Sequence, residues 1–290
     1  MNKNKLGSLF IILFATTSLM AQEESTSLQS YTPSVLIDKG QIEMKLFNNL
    51  YTQTQFFDES GTKKDAGNRS TFFNSILNIN YGVSKRFTLG GELWLKSVKI
   101  GDVNSSPFGV LTFTNNETSR TAISGIGMKV KFNPIKKWGK LSVQSTILVN
   151  VIDDPESENI NQPFLDNNRH QWISKIYYDH QFGDKFQLFA QLSTWVSIDK
   201  ELGSDDMGLA VPLDVFFSYF ATKKLTVYVQ NQIWPSFGSS GVSSYFYQSG
   251  LGVKYLFFPG VEVEALYTKF LFGENTGAGE TINLGLRILY

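Results

Sequence analysis

Residues 282–290, the last of the chain, read Ile-Asn-Leu-Gly-Leu-Arg-Ile-Leu-Tyr. Apolar side chains fall at Ile282, Leu284, Leu286, Ile288 and Tyr290, with Thr281, Asn283, Gly285 and Arg287 in the alternate positions. Successive side chains of a strand point to opposite faces, so the stretch predicts a strand with one greasy face, one polar face and an aromatic end. Taken alone, the same pattern also suits an amphipathic strand that finishes a soluble sheet.

Working back from that strand, the alternation repeats as far as Gln41 in about twelve segments. Leu225, Val227, Val229 and Ile233 oppose Thr226, Tyr228, Gln230 and Gln232; Phe87, Leu89, Leu93 and Leu95 oppose Thr88, Glu92, Trp94 and Lys96. In the fourth segment Ala122, Ile126, Met128 and Val130 oppose Thr121, Lys129 and Lys131. Leu209, Val211, Leu213, Val215, Phe217 and Tyr219 form one strand face. The connections alternate in length. Short ones contain residues 82–86, 133–140, 182–185, 222–224 and 259–260; longer polar ones contain 58–70, 101–120, 153–169, 199–207, 235–244 and 273–279. The tighter turns make neighbours antiparallel. The fold class is therefore all-β. Either the apolar faces meet in a large dry sandwich, or they look out at lipid around a polar interior.

The other end of the chain bears on that choice. Asn2, Lys3, Asn4 and Lys5 give a short basic start, residues 6–15 are almost wholly apolar, and Ala21 precedes Gln22. This is the layout of a secretory signal peptide, expected to be cut after Ala21 following Sec-type export. Residues 22–40 then form a polar N-terminal segment. Its patch of Val35, Leu36 and Ile37 can tuck into a barrel mouth, but a loose tail is the default expectation. No run of 18 or more apolar residues follows, so no helical span is expected. One domain, 41–290, remains.

With signal, rhythm and terminus in hand, the chain resembles Gram-negative outer-membrane barrels. The resemblance implies a transmembrane antiparallel up-and-down β-barrel of about 12 strands. It implies both termini in the periplasm and contact with outer-membrane lipid and lipopolysaccharide. Delivery would go through the barrel-assembly machinery, by way of the strand ending at Tyr290. The chain is also similar to the transporter-type barrels associated with phenol meta-pathway degradation, a likeness that implies uptake of hydrophobic compounds, although a clear N-terminal plug domain is missing.

Composition fits. Charged residues are 18% and aromatics 14%, with 24 Phe, 12 Tyr and 5 Trp. Few charges and many aromatics suit a lipid-facing wall with interfacial girdles. The formal charge is zero, so nothing points to nucleic acid. There is no cysteine, hence no disulfide. Basic residues gather in the short turns (Lys85, Arg86, Lys136, Lys137, Lys140, Lys185, Lys223, Lys224). Acidic ones gather in the long loops (Asp153, Asp154, Glu156, Glu158, Asp166, Asp199, Glu201, Asp205, Asp206). An acidic rim of that kind would concentrate cations, or bridge to lipopolysaccharide phosphates through divalent ions; ordinary solvation of loops explains it equally well.

Chemistry is sparse. The only histidines, His170 and His180, sit at opposite ends of one predicted strand, roughly 30 Å apart, and cannot serve one site. No metal, cofactor or catalytic residue is expected. A barrel lipid hydrolase would need His170 beside a serine, and no His-x-Ser-Asn-Gly-like stretch accompanies it. The charges on the polar face are the better clue. Glu43, Lys45, Glu92, Lys96, Lys129, Lys131, Lys175, Asp179, Asp214, Lys254, Glu262, Glu264 and Arg287 should point inward, because a charge on the lipid face is costly. Trp94, Trp195, Tyr228 and Trp234 share that face. Together they would line a pore for a small solute, or fill a closed barrel. Passive passage of a small solute is the expected function. A lipid hydrolase and a closed structural or adhesive barrel working through its external loops are the alternatives.

Overall fold

A computed structural model describes residues 34–152, 163–165, 169–198, 208–238 and 241–290. The signal region and the acidic loop residues named above lie outside the described residues, as do 22–33. Twelve antiparallel strands follow one another round a closed barrel. They are β1 (Ile42–Phe57), β2 (Lys63–Ser84), β3 (Phe87–Gly101), β4 (Ser119–Phe132), β5 (Leu141–Asn150) and β6 (His170–Phe182). Then come β7 (Phe186–Ile198), β8 (Gly208–Ala210 and Leu213–Phe220), β9 (Leu225–Gly238), β10 (Gly241–Phe258), β11 (Val261–Glu274) and β12 (Glu280–Leu289). The terminal strand makes the closure: β12 pairs with β1 from Glu43↔Leu289 to Thr52↔Glu280. Tyr290 and Ile42 exchange backbone hydrogen bonds of 2.8 Å, so both ends of the barrel chain lie at the short-turn end.

The outer wall is apolar and bare. Met128, Leu251 and Ile147 are 70%, 65% and 62% exposed, and similar side chains continue round the barrel. An exposed apolar surface of this extent is a lipid contact. At the short-turn end the band finishes in packed outward aromatics, with His180 and Phe182 4.5 Å apart and Phe186 5.2 Å from Tyr219. That girdle is where His180 sits. We expect Met128→Arg to destabilise the barrel by about 2–4 kcal/mol, the midplane cost of a lipid-facing arginine. Denaturant unfolding in vesicles, followed by tryptophan fluorescence, measures it.

Four local readings of the sequence need correction. Residues 58–70 are mostly strand: the turn is only 58–62, and β2 starts at Lys63 with Gln55 donating to Asp65 at 2.9 Å. The polar composition that suggested a loop belongs to a hairpin wetted on both faces. The Asp58 carboxylate holds its turn by accepting the Ser60 and Thr62 N–H groups at 2.9 Å. Hydrogen bonding from Ser60, then from Lys64, keeps its pKa well below the usual carboxylate range. Residues 235–238 and 241–244 are likewise paired strand, out to Gly238↔Gly241.

The third correction is at Ser124. A β-bulge there shifts the register from Trp94↔Gly125 to Leu95↔Ile123, so Thr121 and Ile123 lie on the outer face and Ala122 pairs with the inward Lys96. One extra residue reverses every later face assignment. The fourth is β8, which breaks at Val211–Pro212 because Pro212 has no N–H for the ladder.

Outside the barrel, residues 102–118 fold down onto the wall. A 3-10 turn, Pro107–Thr112, buries Val110; Ser97 Oγ donates to Val110 O at 3.2 Å and Phe113 packs edge-on to Phe73 at 5.7 Å. This loop engages the outward residues Ser97 and Thr121 near the long-loop end, the Thr121 N–H donating to Asn115 Oδ1 at 2.7 Å.

Candidate functional site

The interior is stacked in levels. Nearest the short-turn end is a charged cluster. Glu43 Oε1 accepts Arg287 Nε at 2.7 Å, and Glu43 Oε2 accepts Asn80 Nδ2 at 2.9 Å and lies 3.2 Å from Lys45 Nζ. Lys129 reaches Glu92 at 3.1 Å and also donates to Asn78, while Glu92 accepts Trp94 Nε1 at 2.9 Å. On the adjoining wall Lys254 lies 3.7 Å from Glu264, Tyr228 donates to Glu264, and Glu262 faces Arg287 in the register. Gln187 donates to Asp179 at 3.3 Å.

This cluster is roofed at the mouth by residues 34–40. Ser34 is fully buried, Ile37 is 3% exposed, and Lys131 Nζ donates to Val35 O at 2.8 Å. Of the two readings of the Val35–Ile37 patch, the structure has the tucked one. The apolar Ile37 side chain and the lysine donor waiting inside explain why it leaves water. Gly82 makes the fit possible, since a Cβ there would meet Asp38 O at 1.9 Å.

Above the charges an arc of four aromatics spans β6 to β9. Tyr177, Phe189, Phe216 and Tyr228 follow at centroid distances of 6.0, 5.5 and 5.8 Å. Lys131 sits 5.3 Å from the first ring and Lys254 5.4 Å from the last. Cation–π attraction fixes both ammonium groups against the arc. Gly252 leaves the space for Tyr228; a Cβ there would meet the ring at 2.2 Å.

Next comes a belt of amides and hydroxyls. Asp214 accepts Gln191 Nε2 (3.3 Å), Gln230 Nε2 (3.0 Å) and Gln232 Nε2 (2.6 Å). Gln248 donates to Gln232, Thr268 to Gln248 at 2.5 Å, and Thr268 shares a 2.6 Å bond with Thr281. Asn283 donates to Thr281 at 2.9 Å and Asn49 to Asn283 at 2.6 Å. These groups are held rigid by one another, as a fully satisfied buried network must be.

Nearer the long loops, a chain of seven rings comes from seven strands. Trp94 meets Trp195 at 6.2 Å, Trp195 meets Trp234 at 5.3 Å, and Trp234 stacks on Phe246 at 5.9 Å. Phe246 stacks on Phe270 at 4.2 Å, Phe270 meets Tyr51 at 5.0 Å, and Tyr51 meets Phe72 at 6.0 Å. Trp94 and Trp195 come from strands four apart, so the contact bridges the lumen. Leu148 and Ile173 pack beneath Trp94, and Lys175 lies 5.8 Å from Trp195. Beside these rings, toward the long-loop end, is a pocket of about 340 Å³, lined by Tyr51, Phe72, Phe246, Phe270, Lys96 and Leu165. Leu165 belongs to the loop between β5 and β6; it is 1% exposed and its carbonyl accepts Lys96 Nζ at 3.3 Å. Leu165 is therefore seated inside the barrel.

Of the residues the sequence marked for the interior, Glu43, Lys45, Glu92, Lys129, Lys254, Glu264 and Arg287 meet in the charged cluster, with Asp179 near them and Glu262 opposite Arg287. Lys131 and Tyr228 lie at the arc, Asp214 in the belt, and Trp94, Lys96, Lys175, Trp195 and Trp234 at the rings. The sequence reading passed over Tyr51, Phe72, Phe189, Phe216, Phe246, Phe270 and Leu165. Parity was the available signal for several: Phe189 shares its face with Gln187 and Gln191, and Phe216 with Asp214 and Ser218. His170 Nδ1 accepts the Asn150 N–H at 3.1 Å, which occupies that nitrogen. Among the described residues no group of three or more His, Cys, Asp or Glu is placed to hold a metal ion.

No protein-family model matches the sequence, and no curated protein matches it. Solved structures do. An outer membrane channel from Pseudomonas putida F1 aligns with a TM-score of 0.64 at 10% identity, covering 89% of this chain and 98% of that one. The beta domain of the Bordetella autotransporter Brka aligns with a TM-score of 0.51 at 12% identity, covering 87% of this chain and all of the other. The likeness is one of fold: the chain has the architecture of outer-membrane β-barrels.

Proposed function

We propose that the protein is exported by a Sec-type signal, sits in the outer membrane of a Gram-negative cell with both termini in the periplasm, and gives passive passage to a small solute with an apolar body. The seven-ring chain across the lumen carries the reading. A purely structural barrel has no need of stacked indoles and phenyl rings where aliphatic side chains would fill the space. Flat aromatic walls offer a small planar or alicyclic molecule a succession of equivalent contacts. The amide belt below them supplies fixed donors and acceptors for one polar substituent. Movement past such a surface needs neither cofactor nor covalent chemistry. The occupied Nδ1 of His170 weighs against the lipid hydrolase alternative.

Proteoliposome uptake of a labelled aromatic compound tests the proposal. The Trp195→Ala, Trp234→Ala double variant is expected to raise the half-saturation concentration about tenfold, each aromatic contact being worth about 0.5–1.5 kcal/mol. Uptake that is unchanged in the double variant, or absent from the parent protein, sinks the reading.

A further inference from the structure

Passage over the rings makes no use of the cations beneath them. We propose that a void under residues 34–37, walled by Lys45, Lys129, Lys131 and Thr88, binds one monovalent anionic group: a free halide-sized ion or the carboxylate end of a solute.

The void measures about 50 Å³. On this measure about 10–15 Å³ seats one water, so the space holds a halide ion or a carboxylate group with room for water beside it. Three ammonium groups and one carboxylate, Glu43, line it. Glu43 has both oxygens engaged, Oε1 by Arg287 and Oε2 by Asn80 and Lys45, so it faces the void already neutralised. Behind this wall stand Arg287, Glu92 against Lys129, and Asp179 near Lys131. The lining itself holds three cations against one engaged carboxylate. With Glu262, which faces Arg287 in the register, the shell behind it brings the count to four of each sign, so the positive excess is confined to the void's own wall.

Thr88 is the independent sign of a ligand. Its side chain is on the inward face of β3, the residue is 5% exposed, and its hydroxyl has no hydrogen-bond partner. A buried hydroxyl in contact with a polar void is a donor waiting for an acceptor. Among positively charged walls, that acceptor is an anion. A cation would meet the ammonium groups, and an apolar group would leave Thr88 unsatisfied. Gly90 keeps the cage open by leaving room for the Lys129 stem, since a Cβ there would lie 2.9 Å from Lys129 Cε.

The test uses the purified full chain in detergent. Crystals grown in sodium bromide are expected to show an anomalous peak between the three ammonium nitrogens and Thr88 Oγ1. Loss of the peak when benzoate is added identifies a carboxylate site, and its persistence identifies a resident halide; either result upholds the anion site. In solution, bromide titration followed by thermal unfolding should show Lys131→Met weakening binding about tenfold and the near-isosteric Thr88→Val about threefold, with Lys224→Met in an exposed turn unchanged. No anomalous peak in saturating bromide, or variants that bind like the parent, overturns the proposal. Only the carboxylate arm rests on solute passage. A bromide peak in a protein that moves no solute would refute passage and leave the site standing.

Discussion

Removing residues 34–39 should raise single-channel conductance in planar bilayers on the order of tenfold, since conduction follows the narrowest part of the lining. Those residues close the short-turn mouth over the charged cluster, with Ser34 and Ile37 buried and the Val35 carbonyl held by Lys131. The chain joins the wall just after them, where Gly40 N–H donates to Gly82 O at 2.8 Å and Gly82 N–H to Gln41 O at 3.0 Å. The hold is modest. Burying one isoleucine stabilises by about 1.5–3 kcal/mol and a net hydrogen bond adds about 1 kcal/mol, so the segment can leave without unfolding the barrel. Gly82→Val is the matching point variant. Its side chain must displace Asp38, and it should reproduce much of the gain while every other residue remains. Equal currents from the parent and the deletion would place the barrier higher, at the Trp94–Trp195 bridge, and the mouth segment would be no gate.

The sequence carried the barrel clearly and its contents only in part. Alternation from Gln41 to Tyr290 is a property of a wall with lipid on one side, and a wall repeats. The closing pair of β1 and β12 follows from the same repetition plus an even strand number. Contents obey no such period. Phe246 and Phe270 face inward beside Gln248 and Thr268, and in a chain with 24 Phe they read as members of the lipid face. The bulge at Ser124 leaves no mark in composition, yet it turns Ala122 inward and Thr121 outward. Polar stretches such as 63–70 looked like loop because water wets both faces of a hairpin that stands above the membrane. The seat of Val35 depends on Lys131, 96 positions further along the chain, and only the closed barrel brings such residues together.

Glu43→Ala should cost about 3–5 kcal/mol of stability, the usual penalty for leaving one member of a buried ion pair without the other. The carboxylate is 3% exposed, the Arg287 side chain 7%, and their 2.7 Å contact crosses the seam where the last strand meets the first. Lys45 is less committed, since 30% of its side chain reaches solvent and it can rehydrate. The guanidinium has no such escape. Glu43→Leu combined with Arg287→Met should recover most of the loss, because an apolar pair of similar size removes both desolvation costs at once. Urea unfolding in micelles, with the heat-modifiable shift on gels as a second readout, gives the two differences. A loss under about 1 kcal/mol in Glu43→Ala is the value of a solvated surface pair, and it would mean that water reaches the seam. In that case the mouth segment does not seal the cluster, and the expected conductance gain on removing it would vanish as well. The two measurements therefore constrain each other: a dry ion pair at the closing seam and a shut mouth above it stand or fall together.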